Sequence, residues 1–239
     1  MTTIPSLQML LDLQRPPIAI GFFDGPPPNV PRWNGLPVAA GCVFWQKAQE
    51  GQTFYTVASD HYNCAVGAHT HHIALPTERA AELEQTVHFM AANDYIALSE
   101  VPGIPTLPST PAVIAYGPVE TAAFVPNVVV LAARPGQIML IYEAAVQSGA
   151  ESAGIRILGR PACALLPMVL NSGSASLSLG CKGNRTFTGL PDEEMYIAVP
   201  GQQWEALCRH LVRIRTANRT LETYYAGRKA TFSTPQGQD

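Results

Sequence analysis

The chain has 239 residues, 47% of them apolar and only 14% charged, and carries a net charge of −3. That length makes one large domain or two small ones, with enough apolar residues for a sizeable core under a modest polar surface. With no basic cluster and no arginine-rich helix, nothing draws it to a phosphate backbone, and nucleic acid drops out as an expected partner.

The N-terminus, MTTIPSLQMLLDLQRPP, lacks the basic start and apolar run of a signal peptide. In chain order, SLQMLLDL (6–13) reads as a short amphipathic helix and PPIAIGFF (16–23) as a strand, followed by a proline-rich surface loop. CVFWQKAQEG (42–51) reads as a short helix stopped by Gly51, and TFYTV (53–57) as a strand. TERAAELEQTVHFMAA (77–92) is predicted as a helix capped by Thr77, with Glu78 in its first turn and a stripe of Leu83, Val87 and Met90.

Residues 111–135 are the most membrane-like stretch, but Pro118, Glu120, Pro126 and Asn127 interrupt it. Its valines suit two buried strands, AVIAY and NVVVLAA, better than a spanning helix. The expectation is a cytoplasmic chain with no membrane span, whose five cysteines are thiols or ligands rather than disulfides.

QIMLIYEAAVQSG (137–149) is a helix with Ile138, Ile141, Tyr142 and Ala145 on one face and Gly149 at its end. GIRILG (154–159) is a strand, and PACALLPMVLNSG (161–173) a helix interrupted by Pro167. SASLSLG and EMYIAVP read as further strands. QQWEALCRHLVRIRTA is a helix burying Trp204, Leu207, Cys208 and Leu211, and the tail 233–239 reads as disordered.

Two segments share a plan. Residues 41–67 and 162–183 each run as a cysteine opening a helix, a glycine stop, a strand, and a second cysteine just before a glycine. The fold expected is mixed α/β (α+β), a single domain over 1–232 with a pseudo-two-fold core whose halves span about 14–150 and 151–216. Cys42, Cys64, Cys163 and Cys181 could then converge near the axis.

Four thiolates from helix starts and strand-end loops suit tetrahedral zinc or a cubane iron–sulfur cluster. Helix N-termini favour thiolate, and glycine beside a ligand lets backbone N–H groups reach the sulfur. No Cys-x-x-Cys pair or ferredoxin run appears, so spacing alone is a weak signal for ligation and favours four buried thiols.

The segments QRPPIAIGFF, DHYNCAVGA, NVVVLAARPGQIMLIYEAA, GRPACALLP and SLGCKGNRTFTGLPDEEMYIAVPG resemble the family called domain of unknown function 169. The resemblance spans roughly residues 14–215 and is most specific from Ser178 to Gly201. It implies that Cys42, Cys64, Cys163 and Cys181 occupy the family's cysteine positions, and it implies iron–sulfur proteins, favouring a 4Fe–4S cluster over zinc. It supplies a site more than a reaction. Cys208, on an apolar stripe, is expected to be a core thiol.

Two residues stand out as candidates for catalysis. His61, three residues before Cys64, could donate to a cluster sulfur or move a proton, or serve as base to a nucleophilic Cys64 in a metal-free enzyme. Arg185 could offset cluster charge or grip an anionic substrate, or merely pair with Asp192, Glu193 or Glu194. His69, His71 and His72 read as solvent-facing histidines in an extended loop, with zinc ligation by His61, His69 and His71 the sharper alternative. Arg134 and Gln137 sit where α/β crevices often bind ligands. The partners left open are a redox protein, a small-molecule substrate and a second copy of the chain.

Overall fold

The computed structural model describes residues 7–149 and 155–233. The predicted positions of Ser6, Gly154 and most of the tail therefore fall outside the described residues. Alternating apolar strands assemble into one seven-stranded sheet. Its strands are β1 (Ile18–Phe23), β2 (Phe54–Thr56), β3 (Val113–Pro118), β4 (Val128–Ala133), β5 (Arg156–Leu158), β6 (Ser176–Ser178) and β7 (Met195–Pro200), in the order β2-β3-β1-β4-β7-β6-β5. All pairings are antiparallel except β5 with β6. The chain is thus a mixed α/β single domain.

The two-residue period of the strands splits the core into two layers. Val128, Val130, Ala132, Tyr196 and Ala198 point to one face, Val129, Leu131, Ala133, Ile197 and Val199 to the other. The second face is covered by α1 (Leu7–Leu11), α5 (Pro135–Ser148) and α8 (Trp204–Ser233), through Leu7, Ile141, Leu207 and Leu211. The first carries α2 (Val43–Gln49), α3 (Ala65–Thr70), α6 (Leu165–Ser172) and α7 (Lys182–Thr188), with Phe44, Trp45, Leu165 and Leu166 buried against the sheet. The remaining helix, α4 (Thr77–Ala92), lies outside both layers and has no buried residue.

The sheet order is symmetric about the β1–β4 pair. On one side, β1, α2, β2, α3 and β3 follow in this order, with α4 inserted before β3; on the other, β4, α6, β6, α7 and β7 do, with α5 and β5 inserted after β4. In both units a left-handed glycine, Gly51 (φ 93°) or Gly173 (φ 66°), ends the helix and turns the chain into the strand. Grouped in this way, the elements of the first unit end at β3 and those of the second begin at β4.

Several local expectations change. The α4 boundaries hold, but Pro76 rather than Thr77 is the N-cap, and the Leu83, Val87, Met90 stripe is only half-buried. Pro167 does not interrupt a helix: the break falls earlier, where a 3-10 turn (Ala162–Ala164) passes into α6, so Pro167 sits in the first turn, where its missing N–H costs nothing. Tyr142 is 40% exposed, and Leu140 and Ala144 take its place in the core. The last helix runs through Ser233 rather than stopping near residue 217. No helix among the described residues is long and apolar enough to cross a membrane.

A candidate four-cysteine site

Each candidate cysteine stands at or just ahead of a helix start on the same sheet face. Cys42, Cys64 and Cys181 are the N-cap residues of α2, α3 and α7, and Cys163 lies in the 3-10 turn that opens into α6. The four thiols lie within electrostatic reach of one another: Cys163 senses Cys64, Cys181 and Cys42, and Cys42 senses Cys64 and Cys181. Residues separated by up to 139 positions in sequence meet because β2 and β6 occupy matching places in the sheet. Cys208 stands apart, half-buried on α8 across the sheet. Among the described residues, no three His, Cys, Asp or Glu side chains close on a point as one metal ion requires.

Donors surround the sulfurs. The N–H of Asn184 reaches the Cys181 sulfur at 3.4 Å, and the backbone N–H groups of Gly41 and Gly67 serve Cys64. The Asn184 side chain pairs with Cys42, and the Thr70 hydroxyl with Cys163. A Cβ on residue 67 would lie 2.8 Å from the Cys64 sulfur, so only glycine lets the helix wrap this closely. Burial dominates the ionisation: it pushes the Cys42 thiol up to about 12, the Cys163 thiol well above its ordinary value, and Cys64 upward despite its two N–H donors. Without a nearby cation these thiols stay protonated, and a metal would have to displace the protons to bind. The donor set, four thiols with N–H groups aimed at the sulfurs, fits a thiolate-ligated metal centre.

The two flanking candidates are occupied. His61 is 1% exposed; its Nε2 lies 2.9 Å from Thr56 Oγ1, whose own hydrogen goes to the Ile114 carbonyl. The other ring nitrogen, Nδ1, has no partner and lies beside Gly41. The guanidinium of Arg185 donates to the carbonyls of Leu179, Leu190, Pro191 and Glu194, with exposed Asp192 3.8 Å away. It pins the loops on either side of α7 together. Gln137 is likewise committed, to the carbonyls of Leu11 and Asp12, while Arg134 approaches Asp12 at 3.6 Å.

The histidine triplet corrects an expectation. The segment is helical at His69 and turns at His72 (φ 56°), rather than extended. His71 is not solvent-facing: it is 1% exposed, packs edge-on against His61 at 5.6 Å, and neither ring nitrogen has a partner. Burial holds His71 down at about 3 and His61 at about 4. Sequence reasoning joined His61 and His71 only as zinc ligands and missed their burial, because His71 reads as one of three polar residues in a loop. His72 bonds the Leu107 carbonyl, and His69 borders a surface cleft.

Cys42 and Cys163 are buried and Cys64 and Cys181 half-buried, so the site opens to solvent on its α3–α7 side. There the segment between β2 and β3 folds over it. Tyr95 accepts a hydrogen bond from the Lys182 N–H, next to Cys181, and Arg160 stacks on Tyr95 at 5.2 Å while pairing with Glu100 at 3.1 Å. Arg160→Ala opens this latch and is expected to raise the rate of maleimide labelling of Cys181 in the metal-free, reduced chain. The increase is roughly two- to fivefold, from contacts worth about 0.5–1 kcal/mol. Mass spectrometry of the labelled peptide over time measures it, and an unchanged rate would show that the latch does not control access.

No curated protein and no solved structure shows significant similarity to this chain. A model of the family DUF169, described as Uncharacterised ArCR, matches residues 6–210, covering the sheet and all four site cysteines and ending before the distal half of α8. With that match over most of its length, the chain belongs to the DUF169 family.

Proposed function

We propose that this protein binds a 4Fe–4S cluster through Cys42, Cys64, Cys163 and Cys181 and acts in electron transfer or in redox chemistry on a small molecule. The observation that carries this reading is the meeting of four helix-start thiols, two from each symmetric unit, on one face of the sheet. A bound cluster would supply a reversible one-electron couple. The chain's own residues would hold and tune it. Gly41, Gly67 and Asn184 direct N–H groups at sulfur, which favours the more negative, reduced state, and the Phe44 and Tyr116 side of the core keeps water away. Four protein thiolates leave no open metal position, which favours electron transfer over direct substrate activation.

A structural four-cysteine zinc site is the second reading: the burial of Cys42 and Cys163 suits it, but the thiols would have to close further on a common point to hold one ion. A metal-free enzyme with a nucleophilic Cys64 gains no support from the geometry. The His61 ring serves Thr56, and burial raises the Cys64 pKa, the reverse of activation. Metal and sulfide analysis of anaerobically purified protein separates the three. About four irons and four sulfides per chain, with broad visible absorption, support the cluster. One zinc in a colourless protein supports the structural site, and neither metal leaves a set of buried thiols.

A further inference from the structure

The helix α8 has two unlike halves. Its first half packs on α5 through Leu207, Leu211 and Ile214. Its 30 residues extend about 45 Å, whereas the 14 of α5 give only about 21 Å of support. From residue 219 to Phe232 every described residue is exposed. The four-three rhythm of Leu207, Leu211 and Ile214 nevertheless continues through Leu221, Tyr225 and Phe232, with polar Asn218 and Arg228 at the two positions between. Leu221, Tyr225 and Phe232 are 48%, 61% and 77% exposed. This half is rich in poor helix formers, Thr216, Thr220, Thr223, Gly227 and Thr231, and a segment of that kind needs tertiary packing to stay helical.

Charge says what covers it. From residue 219 to 233 there are three basic residues, Arg219, Arg228 and Lys229, and one acid, Glu222; the arm carries +2 and the rest of the chain −5. Two such arms repel each other, so arm-to-arm pairing is disfavoured. On the body, α4 is unburied and exposes Glu78, Glu82 and Glu84. Beside it lies a cleft of about 590 Å³ lined by Val87, His88, Leu98, Val101, Pro102 and Ile104. That space takes aromatic side chains, and its acidic flank complements a basic helix.

We propose that the distal half of α8 docks in the α4 cleft of a second copy of this chain, reciprocally, forming a two-fold dimer. The aromatic stripe enters the cleft, and Arg219, Arg228 and Lys229 face the glutamates of α4. This does not depend on what the four cysteines hold.

Sedimentation analysis of the full chain, as purified, tests it with two triple variants: Arg219→Glu/Arg228→Glu/Lys229→Glu on the arm, and Glu78→Lys/Glu82→Lys/Glu84→Lys on α4. All six residues are exposed or half-exposed, and circular dichroism checks that each variant keeps its fold. The wild type is expected to dimerise more weakly as salt rises, and each variant to self-associate at least about tenfold more weakly. An equimolar mixture of the two variants should regain the dimer, because both of its arm–cleft contacts are again opposite in charge. A wild type that is monomeric at its highest soluble concentration, a dimer insensitive to both variants, or a mixture that fails to re-form the dimer would overturn the proposal. So would a monomer whose arm binds phosphatidylserine vesicles or DNA, since the arm would then serve another partner.

Discussion

On the proposed cluster ligation, Cys163→Ser is expected to reduce the iron and sulfide of anaerobically purified protein from about four each per chain to near zero, with loss of the visible absorption. Cys208→Ser, altering the thiol on the opposite side of the sheet, should leave both unchanged. Because Cys163 is buried, its variant is read beside Cys181→Ser, whose half-exposed position tolerates the new hydroxyl. The chemistry behind this is proton displacement. Burial raises Cys42, Cys64 and Cys163, so these thiols hold their protons at neutral pH and would have to release them to ligate the proposed cluster. Reconstitution should accordingly weaken as pH falls. Full metal content in both the Cys163 and Cys181 variants would remove the basis for the four-thiolate reading.

The buried His61–His71 pair gives the second large effect. Folding holds both imidazoles below their ordinary value near 6.5, to about 4 and about 3, because burial penalises the charged form. The unfolded chain therefore binds more protons between those values and 6.5. The stability from keeping both rings neutral is complete above about pH 6.5 and is lost as pH falls towards 4. Each ring contributes a slope of about 1.4 kcal/mol per pH unit within that window. His71→Phe should remove roughly half of the slope. It should also be neutral or stabilising at pH 8, because it replaces two unpartnered nitrogens with carbon. Urea unfolding at several pH values measures the difference between the variant and wild type. Parallel curves for the two would show that His71 does not titrate on unfolding.

Much of this architecture is set locally. The continuous apolar runs in NVVVLAA and MYIAVP specify strands buried on both faces. The α4 boundaries follow from a helical pattern bounded by Pro76 and Asn93, and Gly51, Gly149 and Gly173 stop their helices wherever the chain turns left-handed. The repeated cysteine–helix–glycine–strand–cysteine plan was legible for the same reason, since each step depends on neighbouring residues.

What the sequence by itself determined were these elements, the four cysteines that open or precede helices, and the absence of a long apolar span. The tertiary structure alone decided where they went. The cysteines meet only because strand order carries β2 and β6 to matching positions about β1 and β4, a property of long-range pairing that no local pattern encodes. His71 is polar by type yet buried by the packing of α3 against Phe22 and His61. Arg185 bonds carbonyls because two loops cross beside α7, and α4 remains outside the core despite its periodicity because both sheet faces are already covered. Periodicity reports which residues could be buried together; the surface available to receive them is fixed by the rest of the chain.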